Sequence, residues 1–129
     1  MNSVDFFKLQ SKNLYRDFKT QYFDGEIFRY KPRFFDDIDG IIISFDIDEE
    51  NVSLMKVQHI IAKISGFESW HDLIHSSEER KELGKLLLEN REDINYGDDW
   101  DMYISCFPTE IRDIDDNAYL DLFKAVFLG

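Results

Sequence analysis

The stretch that decides the fold is residues 53–75, SLMKVQHIIAKISGFESWHDLIH. Leu54, Val57, Ile60, Ile61 and Ile64 recur at helical spacing and form one apolar stripe. Ser53 or Asn51 can cap its start, because a short oxygen side chain accepts an orphan backbone N–H there. Gly66 follows the last periodic residue, where a helix ends in a left-handed conformation that glycine adopts without steric cost. Phe67, one position on, is placed to fold back on Ile61 or Ala62. Ser69 to Asp72 matches the capping box S-x-x-D/E and predicts a second helix carrying Trp70, Leu73 and Ile74 inward. The reading is a helical corner in which Gly66, Phe67 and Trp70 have structural roles.

The run from Ala62 to Leu73, A-K-I-S-G-F-E-S-W-H-D-L, resembles a small bacterial module with an A-x-x-x-G-F-x-x-W-x-x-L signature. That module occurs in uncharacterised proteins, some of which carry ankyrin repeats or a glyoxalase-like label. Its first helix often reads like K-x-Q-A-K-x-L, and Lys8 to Leu14, K-L-Q-S-K-N-L, is similar. The resemblance implies a helical fold rather than an activity. Neither ankyrin repeats nor a glyoxalase metal site is visible in this sequence, so those functions do not carry over.

Outward from the corner, 129 residues with 43% hydrophobic and 33% charged side chains describe one globular domain over residues 1–129. Six glycines and two prolines are few for a many-stranded β fold. The expected class is therefore all-α, a bundle of about five to six helices. A first helix, with Ser3 as cap, is expected to run to about Tyr22 with Phe7, Leu14, Phe18 and Tyr22 on one face. Residues 23–34 read as a loop, with Asp24-Gly25 as turn chemistry and Pro32 restricting its predecessor. Residues 35–48 are ambiguous. Phe35, Ile38, Ile42 and Phe45 fit a helix, whereas Ile43, Phe45 and Ile47 alternate as in a strand; without a second strand to pair with, helix or irregular structure is favoured. Ser76 and Ser77 before Glu78-Glu79 open a helix to about Arg91 that buries Leu83, Leu86 and Leu87. Residues 92–99 form an acidic connector, with further turns at Trp100 to Phe107. A last helix capped by Asp116 or Asn117 would bury Tyr119, Leu122, Phe123 and Val126.

Net charge is −12, and it is segregated. Residues 1–34 hold seven Lys or Arg against four Asp or Glu; residues 35–55 hold seven acids and no base. Residues 56–91 balance six against six, and residues 92–129 hold ten acids and two bases. Such a field repels nucleic acid and anionic membrane and attracts basic partners. Within the first helix Lys8, Lys12, Arg16 and Lys19 make a basic stripe, readable as a solvated face, an intramolecular mate for the acids, or a site for an acidic partner. The aromatic count of 20 is generous for so small a core and suggests an interface. No apolar run is long enough for a membrane span or a secretory segment, and the single Cys106 cannot make an internal disulfide; the expected compartment is the cytoplasm.

Catalytic constellations are few. Asp46, Asp48 and Glu50 occupy positions 1, 3 and 5 of a calcium loop, but position 6 is Asn51 and position 12 is Val57, so the glycine that bends the loop and the glutamate that closes it are missing. His71 and His75 stand four apart, the spacing of a zinc-binding pair. Asp72 stands where a metalloprotease has its glutamate, and no third and fourth ligands are evident beyond His59, Cys106 or scattered carboxylates. The pair is more often a polar helix edge, so no cofactor and no catalytic residue is assigned. Cys106, among aromatics, reads as an inert buried thiol. No P-loop, dinucleotide fingerprint or nucleophile elbow occurs. Read as a DNA-binding helix-turn-helix, the second helix would present Ser69, His71, Asp72 and His75 without one cation, which excludes direct readout of DNA.

The sequence therefore points to a non-catalytic interaction domain whose acidic faces, residues 36–50 and 92–121, dock a basic protein, as an immunity protein, antitoxin or nucleic-acid mimic does. Asp98, Asp99, Asp101, Asp113, Asp115 and Asp116 are the expected contacts. One alternative is an enzyme with a metal-assisted site through His71 and His75. Another is a salt-sensitive self-associating scaffold in which the basic first helix of one chain meets the acidic tail of the next.

Overall fold

The computed structural model describes residues 3–90 together with positions 118, 120, 121, 124 and 125. Among these the protein is mainly helical, with helices α1 (Ser3–Phe18), α2 (Ile38–Phe45), α3 (Leu54–Ile64), α4 (Trp70–His75) and α5 (Glu78–Glu89). Strands β1 (Tyr22–Phe23) and β2 (Phe28–Arg29) form a two-stranded antiparallel ribbon between α1 and α2. The acidic residues Asp98, Asp99, Asp101, Asp113, Asp115 and Asp116, with Cys106 and the 92–107 connector, lie outside the described residues. Of the expected last helix, Ala118, Leu120 and Asp121 are helical, and Leu120 is buried.

The corner at Gly66 is built from local hydrogen bonds. Ser53 caps α3, its hydroxyl accepting from the Lys56 amide. At the other end Gly66 N–H donates to the Lys63 carbonyl and Phe67 N–H to the Ala62 carbonyl, at 3.0 and 2.9 Å. That pair of bonds is the Schellman closure of a helix end, and it needs a left-handed residue between them. Gly66 supplies it, with φ of +86°. Ser69 then caps α4 by accepting from the Asp72 amide, and Ser77 caps α5 by accepting from the Arg80 amide. Each cap satisfies a donor that the first turn leaves without an intrahelical partner.

The core lies where α1, α3 and α5 pack together, α4 closing against α3. Phe7, Leu14, Phe18, Val57, Ile61, Phe67, Leu73, Leu83 and Leu88 are buried there. Phe67 meets Phe7 edge to face, ring centroids 6.5 Å apart, the arrangement aromatic quadrupoles favour. Above it Arg80 stacks its guanidinium on the Phe67 ring and donates to the Gly66 carbonyl at 2.8 Å. Trp70 differs from expectation. It packs against the core but remains partly exposed, because a six-residue helix turns one face inward and Leu73 occupies its centre.

Two further expectations are corrected. α1 ends at Phe18 rather than near Tyr22, and Tyr22 is exposed in β1. The chain leaves the helix where the Thr20 hydroxyl donates to the Asp17 carbonyl and accepts from the Lys31 amide, tying the helix end to the segment that follows β2. Ser3 lies within the helix instead of capping it, its hydroxyl donating to Glu78 at the start of α5.

The packing of α5 on the corner depends on Gly84. A Cβ there would lie 2.8 Å from Phe67 Cε2 and 3.1 Å from the Ser65 carbonyl oxygen. The second neighbour is backbone and cannot swing away. Gly84→Ala is therefore expected to destabilise the protein by about 1–3 kcal/mol despite alanine's better helix propensity. Chemical denaturation measures it, and a stabilised variant would show that α5 does not approach the corner so closely.

Candidate functional site

Residues 35–48 contain helix α2 (Ile38–Phe45), and the acidic side chains of this segment make the candidate surface. Phe35 and Ile38 are buried, and Ile41, Ile42, Phe45 and Ile47 pack against the core. Asp37 caps the helix, its carboxylate accepting from the Gly40 amide. Asp46 ends it in the left-handed region at φ of +49°, a conformation Asp tolerates better than most residues.

What seats α2 is a carboxylate from another element. Asp17, in the last turn of α1 and only 1% exposed, accepts from three consecutive amides, those of Arg33, Phe34 and Phe35, at 2.8, 3.0 and 2.7 Å. Charge-assisted bonds of this kind are stronger than neutral ones, and three together fix a loop that has no regular partner strand. A second tie runs through Tyr30. Its phenol donates to Glu49 and accepts from Gln21, whose amide also donates to the Glu49 carbonyl. Burial, opposed in part by the Gln21 bond and reinforced by the nearby Glu49 charge, holds the Tyr30 hydroxyl up at about 12.

These ties sort the seven acids of residues 35–55 into two groups. Asp37 caps α2, Asp48 accepts from the Glu50 amide and the Asn51 side chain, and Glu49 receives Tyr30. Those bonds lower the Asp48 carboxyl below its usual range. Asp36, Asp39, Asp46 and Glu50 are exposed and make no ion pair among the described residues. On α2, Asp39 stands four before Ile43, hence on its face, and Asp46, the left-handed residue that ends the helix, follows three after. Ile43 is 80% exposed. The result is an apolar side chain set among carboxylates that make no ion pair among the described residues, on a helix whose other face packs against the core.

The other sequence candidates are placed as follows. His71 and His75 are both exposed on α4, ring centroids 4.3 Å apart, and no group of three potential metal ligands forms among the described residues. In the calcium-like run, Asp46 serves as helix end and Asp48 is turned onto its own loop. No described helix is long and apolar enough to cross a membrane. Comparison of the chain with protein-family models, with curated proteins and with solved structures returned no match.

Ile43 and Asp17 were both missed by reasoning from sequence. Ile43 sits in an apolar run, Ile41 to Ile43, that does not declare which member points outward. Asp17 lies 16 to 18 residues from its three donors, beyond any local motif.

The ribbon beside this surface carries a pH-sensitive turn. Asp24 accepts from the Ile27 and Glu26 amides and from Arg29, and these bonds lower its carboxyl from 3.8 to about 2, the Ile27 amide contributing most. A carboxyl depressed on folding stabilises above its unfolded value and loses that contribution as pH falls through its folded value. The β1–β2 turn is thus expected to hold above about pH 4 and to loosen between about 4 and 2. Proton NMR of the Ile27 and Glu26 amides measures this, and shifts constant down to pH 2 would contradict it.

Proposed function

We propose that the protein is a non-catalytic interaction domain that docks a basic protein through its acidic surface, with α2 as the central contact. The observation that carries this reading is the exposed Ile43 between Asp39 and Asp46, with Asp36 and Glu50 at the two ends of the segment and no cation within residues 35–55. Interfaces draw affinity from a few well-buried side chains and draw specificity and association rate from complementary charge around them. A partner presenting Lys or Arg around an apolar pocket satisfies both. Immunity-type inhibition and mimicry of nucleic acid are the classes of action that fit such a surface, and the acidic residues of 92–121 extend the proposal to Asp98, Asp99, Asp101, Asp113, Asp115 and Asp116. We place this activity in the cytoplasm, consistent with a lone cysteine.

Neutralising Asp36, Asp39, Asp46 and Glu50 tests the reading. The variant Asp36→Asn, Asp39→Asn, Asp46→Asn, Glu50→Gln keeps the Asp37 cap and puts at position 46 an Asn, which also tolerates the left-handed conformation, and it is expected to fold normally. Its affinity for a fluorescent Lys- and Arg-rich amphipathic helical peptide should fall by about tenfold or more at 0.05 M salt, and anisotropy titration reads this. Unchanged affinity would remove α2 from the interface. No binding by the wild type would remove the reading itself.

A further inference from the structure

We infer that the basic partner of the α2 surface is the outer face of α1 on a second copy of this chain, so that copies associate head to tail. The inference rests on the reading of α2 as a docking surface and names its partner. Lys8, Lys12, Arg16 and Lys19 are all exposed, and among the described residues no ion pair includes any of them. An intramolecular mate for the stripe is therefore not found within the described residues. Lys19 lies over the Tyr15 ring at 4.4 Å.

The two faces are built alike with opposite sign. Leu9 is 40% exposed, and Lys12 and Arg16 follow it at i+3 and i+7, so the three share a face. Ile43 is likewise an exposed apolar side chain among charges, here with Asp39 four positions before it and Asp46 three after. The charges are matched in sequence spacing: Lys12 and Lys19, like Asp39 and Asp46, stand seven positions apart, the second of each pair just past the end of its helix. Asp5, one turn before Leu9, is the single acid on the α1 face, and it lies beyond the matched span.

Further cations are delivered to the same end of α1 by the bonds that seat the loop. The Lys31 amide donates to Thr20 and the Arg33 amide to Asp17, so Lys31 and Arg33 lie across the last turn of the helix that carries Arg16 and Lys19. A net charge of −12 opposes self-association at long range, but that repulsion is screened over about 8 Å at physiological ionic strength, whereas contacting pairs are screened less. Because α1 and α2 are different patches, the contact is heterologous, and each copy keeps one free face of either sign.

Charge reversal in two halves tests this. One variant carries Lys12→Glu and Arg16→Glu, the other Asp36→Lys and Asp39→Lys; all four positions are exposed. Sedimentation velocity over a concentration series should show wild-type assemblies larger than a dimer, with an apparent dissociation constant that weakens about tenfold or more between 0.05 and 0.5 M NaCl. Each variant alone should be monomeric. Mixed in equal amounts they should form a 1:1 dimer that grows no further, since only the intact α2 face of the first and the intact α1 face of the second remain. Wild type that stays monomeric at low salt overturns the inference. If it still binds the cationic peptide, the docking reading stands without this partner; if it does not, both fall. Binding of a single-stranded oligonucleotide by the α1 face, without self-association, also overturns it.

Discussion

One buried carboxylate holds the acidic surface in place. Asp17 accepts three successive backbone amides from residues 33–35, a segment that has left the β ribbon and not yet entered α2. Buried amides without partners cost about 1–3 kcal/mol each, so a loop packed under a helix end needs an acceptor. Asp17 provides one acceptor to three donors. Its effect reaches beyond the loop: Phe35 is drawn into the core, Ile38 follows it, and the register of α2 is then settled, with Ile43 outward. The charge pattern of residues 35–55 acquires a geometry only through this contact.

The remainder of the fold is a frame that keeps Asp17 still. α1 is fixed by burial of Phe7, Leu14 and Phe18 against α3 and α5. α3 and α5 are held close at the Gly66 corner, where Gly84 admits Phe67 and the Ser65 carbonyl at distances no larger residue allows. Arg80 closes the corner from outside. The left-handed glycine, the aromatic beneath the guanidinium and the small residue opposite it form one packing unit.

Legibility from sequence followed the range of the interactions. The corner was readable because its determinants are local: Ser53, Gly66, Ser69 and Ser77 each act on amides within three residues. The helical state of residues 38–45 was only favoured: Phe35, Ile38, Ile42 and Phe45 fit a helix, but the alternation of Ile43, Phe45 and Ile47 fits a strand, and periodicity over so short a run does not separate the two. The end of α1 was not readable, since the helix ends where Thr20 bonds to Lys31, eleven positions away, and periodicity alone carried the helix on to Tyr22. The partial exposure of Trp70 was hidden for a related reason: side-chain size argues for burial, but only tertiary packing decides that Leu73 takes the centre of α4. Of the candidate site, the excess of acid was visible in composition. The division between carboxylates used in caps and turns and those that make no ion pair among the described residues was not.

The central claim is that Asp17 seats the loop that presents α2, and amide hydrogen exchange at Arg33, Phe34 and Phe35 tests it most directly. These three amides are expected to be protected at a level approaching that of the α1 interior, although they belong to no helix or strand. In Asp17→Asn, where one acceptor oxygen becomes a donor facing donors, their protection should be lost by an amount equivalent to about 1–3 kcal/mol while the amides of α3 stay protected. Three amides exchanging in the wild type as fast as an open loop would contradict the account, and α2 would then owe its position to something other than Asp17.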